Sequence, residues 1–495
     1  MKDEVNYSLL HSDLSSLENL RKFTLESKLL ASQQFASRIM NGSEVDMNLA
    51  YQENTMPWEL EIFAAYSVIF NDDDATQNID MKSFAEAITY IRNYWDQAFK
   101  DAEQTGTYPE AFMIRSIIQQ FSVQGPMLQK LFRYNYFFNF QNDILDMKKE
   151  FNDKFSTEYF DFEFTAFALF LLLSKASLGK IHPTLHQQAL CRIFENETVI
   201  STLCIDKEKY IVEMKKLYKD DILKLYYGLK AHQWWPLVEG NDGIIYIPSP
   251  YLVINAVTES MLNRLTFRND KLRKLIGKEV LENYLFDIYK QVETVTWISP
   301  EIEYWIGKKL HKTPDVLVAE NEYCCFYDTK EMVPSLKIRE LDEEEIEKDS
   351  EIYAMAIRQS YTQIVNYTNG FFELDKKYDK EKIFGVVVML EDIGLSRDRI
   401  YSLAFDLIAE EHGDIGDGEK RFIQSHIKIV SLRQIEAMVL QNTSFLPCLI
   451  KQESHPEEWM NQNFAHPTTE NGLIPSYAEY CENLKRRFYQ FVKNI

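Results

Sequence analysis

Glycine and proline are scarce along the whole chain, which limits what it can fold into. Only 16 glycines and 14 prolines occur among 495 residues. These residues interrupt helices and form tight turns, so their scarcity disfavours a loop-rich β-sandwich and favours long helices. The length also exceeds what one compact core usually holds. We therefore expect two or three domains.

The chain is strongly acidic. It carries 54 basic and 76 acidic residues, a formal net charge of −22. Phosphate binding needs a positive surface, so this charge argues against a protein that coats nucleic acid nonspecifically. It leaves room for a local basic channel, or for metal ions, at a single point of contact.

Cysteine spacing and hydropathy favour a reducing, aqueous compartment. The six cysteines form no CxxC pair, so neither a zinc ribbon nor a disulfide framework is indicated. The first residues, MKDEVNYSLLHSDL, lack the basic start and apolar core of a signal peptide. The longest apolar run, Phe164–Leu173, has about half the residues that a membrane helix needs. We expect a cytoplasmic protein with no membrane partner.

The sequence pattern divides the chain into regions of different character. Residues 1–235 have apolar residues at helical spacing and predict an all-α region of unknown role. A connector of a β-hairpin and a helix is expected over 236–269, where turn signals and prolines surround a short apolar run. An α/β domain is expected over 270–445, and a helical extension over 446–495.

Within the α/β region, the predicted elements alternate between helices and strands. Helices are expected over 251–265, 270–292, 350–369 and 432–440, and strands within 296–330, 382–390 and 425–430. The run at 382–390 is almost continuously apolar, as is typical of a strand buried on both faces of a sheet.

The segment from Thr313 to Lys330 carries the chemistry. It predicts a β-hairpin in which Asp315 begins one strand, Asn321-Glu322 form the turn, and the second strand ends at Lys330. Asp328 and Lys330 lie two residues apart, so their side chains emerge on one face of the strand. Phosphodiester cleavage needs oxygen ligands for Mg²⁺, a positioned water and a positive charge near the developing negative charge. Two carboxylates and a lysine supply these groups.

This hairpin resembles the catalytic motif of the PD-(D/E)xK nuclease superfamily. Pro314-Asp315 corresponds to the PD, and Asp328-Thr329-Lys330 to the DxK. Upstream, Glu282 lies on a predicted helix that resembles the one giving this superfamily its third acidic group. Downstream, Gln363 and Tyr367 match the QxxxY motif of RecB-like members. The resemblance covers roughly residues 270–440 and implies a restriction endonuclease-like fold.

The resemblance also implies a role for each matched residue. Asp315 and Asp328 would bind Mg²⁺, for which Mn²⁺ can substitute, with help from the Thr329 carbonyl. Glu282 would complete the metal site, and Glu279 is the alternative on the same helix. Lys330 would orient the attacking water and stabilise the transition state.

The remaining matched residues would support the site. Gln363 and Tyr367, one helical turn apart, would brace it or contact DNA. Lys308, Lys309 and Lys312 precede Asp315 and could follow a phosphate backbone.

Large helical extensions on this kind of core suggest an anti-phage defence or DNA repair nuclease, by analogy alone. DNA is the expected substrate, and RNA stays open because the same metal chemistry cleaves either polymer. A nuclease-like subunit that binds DNA or a protein partner and is inactive alone also stays open, since the chain is so acidic. A protein partner or homo-oligomer is expected on the same charge grounds.

Two other patterns in the sequence are less specific. The acidic run at 339–351 predicts a solvated loop or helix start, with an acidic flap as the alternative. His182 and His186 have metal-ligand spacing but no third ligand, which favours structural histidines.

Overall fold

The computed structural model describes most of the chain. The described residues are 17, 19–41, 44–105, 114, 126–174, 183–218, 228, 230–331, 333, 335–339, 342–391, 394–454 and 472–495. Parts of the predicted all-α region, of the acidic run and of the helical extension lie outside these ranges, as does His182.

Helices dominate the described residues. In chain order they are α1 (Leu25–Ile39), α2 (Met47–Gln52), α3 (Pro57–Ile69), α4 (Met81–Thr105), α5 (Met127–Asn139), α6 (Met147–Phe155), α7 (Tyr159–Leu173), α8 (Pro183–Phe194), α9 (Glu197–Leu203), α10 (Lys207–Tyr218), α11 (Ala231–Trp234), α12 (Leu252–Val257), α13 (Glu259–Thr266), α14 (Asp270–Leu275), α15 (Glu282–Tyr289), α16 (Leu336–Arg339), α17 (Glu343–Thr368), α18 (Arg397–His412), α19 (Asp417–His426), α20 (Leu432–Val439), α21 (Leu446–Ser454) and α22 (Pro475–Lys493). A π-helical turn, Ile276–Leu281, joins α14 to α15, and 3₁₀ turns cover Asn19–Lys22 and Lys380–Lys382. No helix of the described ranges is both long and apolar enough to cross a bilayer.

The strands are short and mostly lie in the second half of the chain. They are β1 (Met40–Asn41), β2 (Glu44–Val45), β3 (Cys204–Asp206), β4 (Leu237–Glu239), β5 (Ile245–Tyr246), β6 (Trp297–Pro300), β7 (Glu303–Ile306), β8 (Lys309–Lys312), β9 (Val316–Glu320), β10 (Tyr323–Lys330), β11 (Ile383–Met389) and β12 (Ile427–Ser431). The chain is therefore mostly helical, with a mixed sheet in its C-terminal half, as the sequence predicts.

Contacts divide the chain into two compact units. The first consists of residues 1–138, 147–267 and 484–495, and the second of 139–146 and 268–483. The region predicted as a connector, 236–269, therefore groups almost entirely with the first unit. The predicted extension, 446–495, is divided between the units within α22.

The first unit is built around aromatic side chains on its helices. Phe138 packs against Phe151 and Tyr159, with ring centroids 4.9 and 4.6 Å apart. Helix α7 is apolar almost all round, and most of its side chains are buried, which is typical of a central core helix. Strands β3, β4 and β5 form a small three-stranded sheet in this unit.

The second unit contains a five-stranded mixed sheet with strand order β12-β11-β10-β9-β6. Strand β10 is parallel to β11 and antiparallel to β9. Tyr327 contacts Tyr289 of α15, whereas its neighbour Phe326 contacts Tyr367 of α17. Because successive side chains of a strand point to opposite faces, α15 and α17 cover opposite faces of the sheet.

Several element boundaries differ from the sequence prediction. The helix expected over 251–265 is interrupted at Thr258, and the one expected over 270–292 contains the π-helical turn. Helix α17 begins at Glu343 with Asp342 as its N-cap, so most of the acidic run forms a helix start, one of the two expected forms. The strand expected from 425 begins at Ile427, because helix α19 extends as far as His426.

Close packing of α17 on β11 depends on a glycine. A Cβ at Gly385 would overlap the Ser360 Oγ and lie 3.3 Å from Ile427 Cγ1. We predict that Gly385→Ala destabilises the second unit by about 1–3 kcal/mol, the usual cost of overpacking. The melting temperature should fall by several degrees in differential scanning fluorimetry.

Two variants control this prediction. Gly418→Ala should leave the melting temperature unchanged or slightly higher, because a Cβ there meets open space on a helix. Adding Ser360→Ala to Gly385→Ala removes the overlapping hydroxyl and should restore part of the loss. An unchanged melting temperature for Gly385→Ala would contradict this account of the packing.

Candidate functional site

The β9–β10 hairpin places Asp315 beside Asp328. Its two-residue turn lies at Asn321-Glu322, as predicted, and Asn321 adopts a positive φ of 54° that asparagine tolerates. Val316 pairs with Tyr327, so Asp315, one residue before β9, reaches the end of β10. The Thr329 amide and hydroxyl both donate to Asp315 Oδ2, at 2.7 and 3.0 Å. The position of Asp315 is therefore fixed by hydrogen bonds from the neighbouring strand.

Asp328 is the most deeply buried carboxylate of the site. Its exposure is 1%, and neither carboxylate oxygen has a hydrogen-bond partner. Burial, followed by the charge of Asp315, raises its pKa to about 7. Lys330 opposes the rise in pKa, and so does the adjacent side chain of Gln363. A buried charge without hydrogen-bond partners is destabilising, and a bound partner at Asp328 would reduce that cost.

Glu282 joins these two aspartates from helix α15. Burial raises its pKa to about 8, and the charges of Asp315 and Glu301 add to the rise, while Lys278 opposes it. The pKa of Asp315 is raised by burial too, although the Thr329 hydrogen bonds and Lys330 oppose this. The carboxylates predicted from the sequence therefore share one electrostatic environment. Glu279, the alternative to Glu282, instead accepts a hydrogen bond from Asn142 at 2.9 Å.

The π-helical turn that precedes Glu282 lies against the end of β10. A Cβ at Gly277 would lie 2.7 Å from Glu331 Oε2 and 3.0 Å from Glu331 Cβ, so a side chain there would require Glu331 to move. π-Helical turns are rare and often mark functional sites. The sequence pattern does not mark Gly277 or Glu331, since their proximity depends on the tertiary fold.

Glu301 is a fourth carboxylate of the site that the sequence analysis missed. It lies between β6 and β7, and its charge raises the pKa of Glu282, Asp315 and Asp328. Lys312 Nζ donates to Glu301 Oε1 at 2.5 Å, which raises the pKa of Lys312. No spacing in the sequence marks Glu301. It reaches the site because β6 pairs with β9.

The basic residues predicted to contact DNA have different surroundings. Lys312 is paired with Glu301 at the base of the β7–β8 hairpin. Lys308 and Lys309 are exposed at the tip of that hairpin. The two tip lysines are the ones placed to reach a ligand outside the carboxylate cluster.

The two QxxxY residues also differ. Gln363 is buried beside Asp328, and its Oε1 has no hydrogen-bond partner. Tyr367 packs against Phe326 and Phe372, and its hydroxyl accepts from the Tyr378 amide at 2.8 Å. Tyr367 therefore braces the loop that leads into β11, while Gln363 faces the carboxylates.

The chemistry of these donors suits a divalent cation better than their arrangement does. Oxygen-only donors suit Mg²⁺, and a cation would offset the mutual repulsion that raises these pKa values. Yet among the described residues no group of three or more histidine, cysteine, aspartate or glutamate side chains is arranged to hold an ion. Holding a cation would require Glu282, Asp315 and Asp328 to draw closer together.

Comparison of the chain with protein-family models, with curated proteins and with solved structures found no match.

The raised pKa of Asp328 makes the stability of the folded chain depend on pH. The unfolded chain releases this proton near the ordinary pKa of 3.8 and the folded chain near 7. The free energy of unfolding therefore decreases as the pH rises from about 4 to about 7. Asp328→Asn removes that penalty, and its amide can donate to Gln363 Oε1. In metal-free buffer the variant should melt several degrees higher than the wild type, with a larger difference at pH 8 than at pH 5.

Asp414→Asn, at an exposed position, is the matched control and should change the melting temperature little at either pH. An Asp328→Asn variant that melts below the wild type at pH 8 would contradict the electrostatic description of the site.

Proposed function

We propose that the chain is a metal-dependent nuclease that hydrolyses phosphodiester bonds in nucleic acid, with DNA as the expected substrate. The observation that carries this is the hairpin register, which brings Asp315 beside Asp328 and Thr329 while leaving both Asp328 oxygens buried and without partners. The five-stranded mixed sheet with helices on both faces supports a restriction endonuclease-like fold for the second unit.

Each residue of the site has a task in this proposal. Asp315, Asp328, Glu282 and the Thr329 carbonyl would hold Mg²⁺, which when bound supplies a Lewis acid that polarises the phosphate and activates water. Thr329 keeps Asp315 oriented through two hydrogen bonds.

Lys330, at the end of β10, provides a positive charge that acts on Asp315 and Asp328. Its ammonium would orient the attacking water and stabilise negative charge developing on the phosphate. The side chain of Gln363, on α17, lies beside Asp328 and favours its charged form.

A second candidate is a nucleic-acid-binding subunit that is inactive alone. The observation that favours it is that the carboxylates of the described residues are not gathered into a cation site. In that case a protein partner or the substrate would complete the site. A role in anti-phage defence or DNA repair rests on analogy with nucleases that carry large helical extensions.

Lys330→Ala is the direct test of the proposed nuclease. Wild-type protein with Mg²⁺ or Mn²⁺ should cleave at least one member of a panel of plasmid, linear duplex, single-stranded DNA and RNA. Lys330→Ala should reduce the rate by about a hundredfold or more, because a preorganised charge at the reacting phosphate is lost. Gel electrophoresis of labelled substrates measures both.

Lys377→Ala, an exposed lysine outside the site, should cleave like the wild type. Chelator should abolish cleavage. If Lys330→Ala cuts as well as the wild type, the assignment is wrong. If the wild type cuts nothing on the panel, the second candidate is favoured and a partner should be sought.

A further inference from the structure

The β7–β8 hairpin, residues 303–312, lies next to the carboxylates along the chain. Its strands pair Glu303 with Lys312, Tyr304 with His311 and Trp305 with Leu310. Gly307 in the turn has a φ of 62°, which glycine adopts without strain. Directly paired residues point to the same side of a hairpin, so its two faces have different compositions.

One face of the hairpin is fixed to the second unit. The Tyr304 ring lies 4.9 Å from Phe372 and 5.7 Å from His311, centroid to centroid. The Asn366 side chain donates to the Tyr304 hydroxyl at 3.0 Å. These contacts hold the hairpin against the end of α17, so its other face is presented in a defined position.

The opposite face presents an apolar surface to solvent. Trp305 is 63% exposed and its cross-strand partner Leu310 is 41% exposed. A single exposed apolar side chain is ordinary, but a tryptophan beside a leucine on an anchored hairpin forms a flat apolar platform.

The charge of the hairpin is opposite to that of the chain. Residues 303–312 contain three lysines and one glutamate, whereas the whole chain has a net charge of −22. Lys308 lies in the turn next to the platform and is exposed. Lys309 is exposed too, but it pairs with Ile306, so its side chain starts on the Tyr304 face of the hairpin. An aromatic face beside an exposed lysine complements a nucleic acid strand, which has base faces for stacking and phosphates for pairing.

We propose that this hairpin platform, Trp305 and Leu310 with Lys308 at the tip, binds a single strand of nucleic acid by stacking an unpaired base on Trp305. The inference rests on the proposed nuclease function and names its substrate class as single-stranded or unpaired segments. In a duplex the base faces are covered by their neighbours, so the platform favours unpaired nucleotides.

The platform lies within reach of the carboxylates. Asp315 follows Leu310 by five positions along the chain, which is at most about 17 Å of extended chain. A strand stacked on Trp305 therefore reaches the carboxylates within about five nucleotides at the spacing of stacked bases. At the base of the hairpin, Lys312 pairs with Glu301, whose charge is felt by Glu282 and Asp328.

Binding of fluorescein-labelled oligo(dT), oligo(U) and a duplex of matched length, measured by fluorescence anisotropy with chelator present, tests the platform without cleavage. We expect the wild type to bind a single strand more tightly than the duplex. Trp305→Ala should weaken single-strand binding about tenfold, as expected for the loss of one stacked base. Trp305→Phe should retain most of the affinity, and comparing oligo(dT) with oligo(U) separates DNA from RNA.

Tyr489→Ala removes an aromatic side chain of similar exposure in the other unit and should not change binding. The inference fails if the wild type binds no single strand, if it prefers the duplex, or if Trp305→Ala binds like the wild type. A platform that docks a protein would give that last result.

The platform and the nuclease can fail separately. Trp305-dependent binding without any Lys330-dependent cleavage would keep the platform and reject the nuclease. Lys330-dependent cleavage with binding that ignores Trp305 would do the reverse.

Discussion

The burial of Asp328 without hydrogen-bond partners is the constraint on which the candidate site depends. Its strand lies inside a sheet between β9 and β11, where an ionised carboxylate costs free energy that the surrounding apolar strands must supply. Asp315, held by Thr329, adds a second negative charge that raises the pKa of Asp328 further. Such strain is found where a binding partner relieves it, and a divalent cation is the partner that carboxylates of this kind accept.

The features that follow from local periodicity could be predicted from the sequence. The continuous apolar run at 382–390 corresponds to the fully buried strand Ile383–Met389. The two-residue spacing of Asp328 and Lys330, together with the Asn321-Glu322 turn, predicted the hairpin that brings Asp315 to the site. In these cases the alternation of a strand and the chemistry of a short turn decide the structure without help from distant residues.

Features that depend on contacts between distant segments could not be predicted. Glu301 reaches the carboxylates only because β6 pairs with β9, and the pairing of Lys312 with Glu301 follows from the same arrangement. The π-helical turn before Glu282 has an amphipathic sequence like any helix. Its π-helical form, and the close approach of Gly277 to Glu331, appear only in the folded structure. The exposure of Trp305 likewise depends on which face of its hairpin is anchored, and a pattern of alternating residues does not reveal this.

Calorimetric titration of Mn²⁺ into the wild-type chain, Asp328→Ala and Asp414→Ala is the most direct test of the account. We predict that the wild type and Asp414→Ala bind the cation, and that binding is lost in Asp328→Ala because its two buried acceptor oxygens are gone. Equal binding by all three proteins would place the cation elsewhere, and no binding by the wild type would contradict a metal-dependent site in this chain.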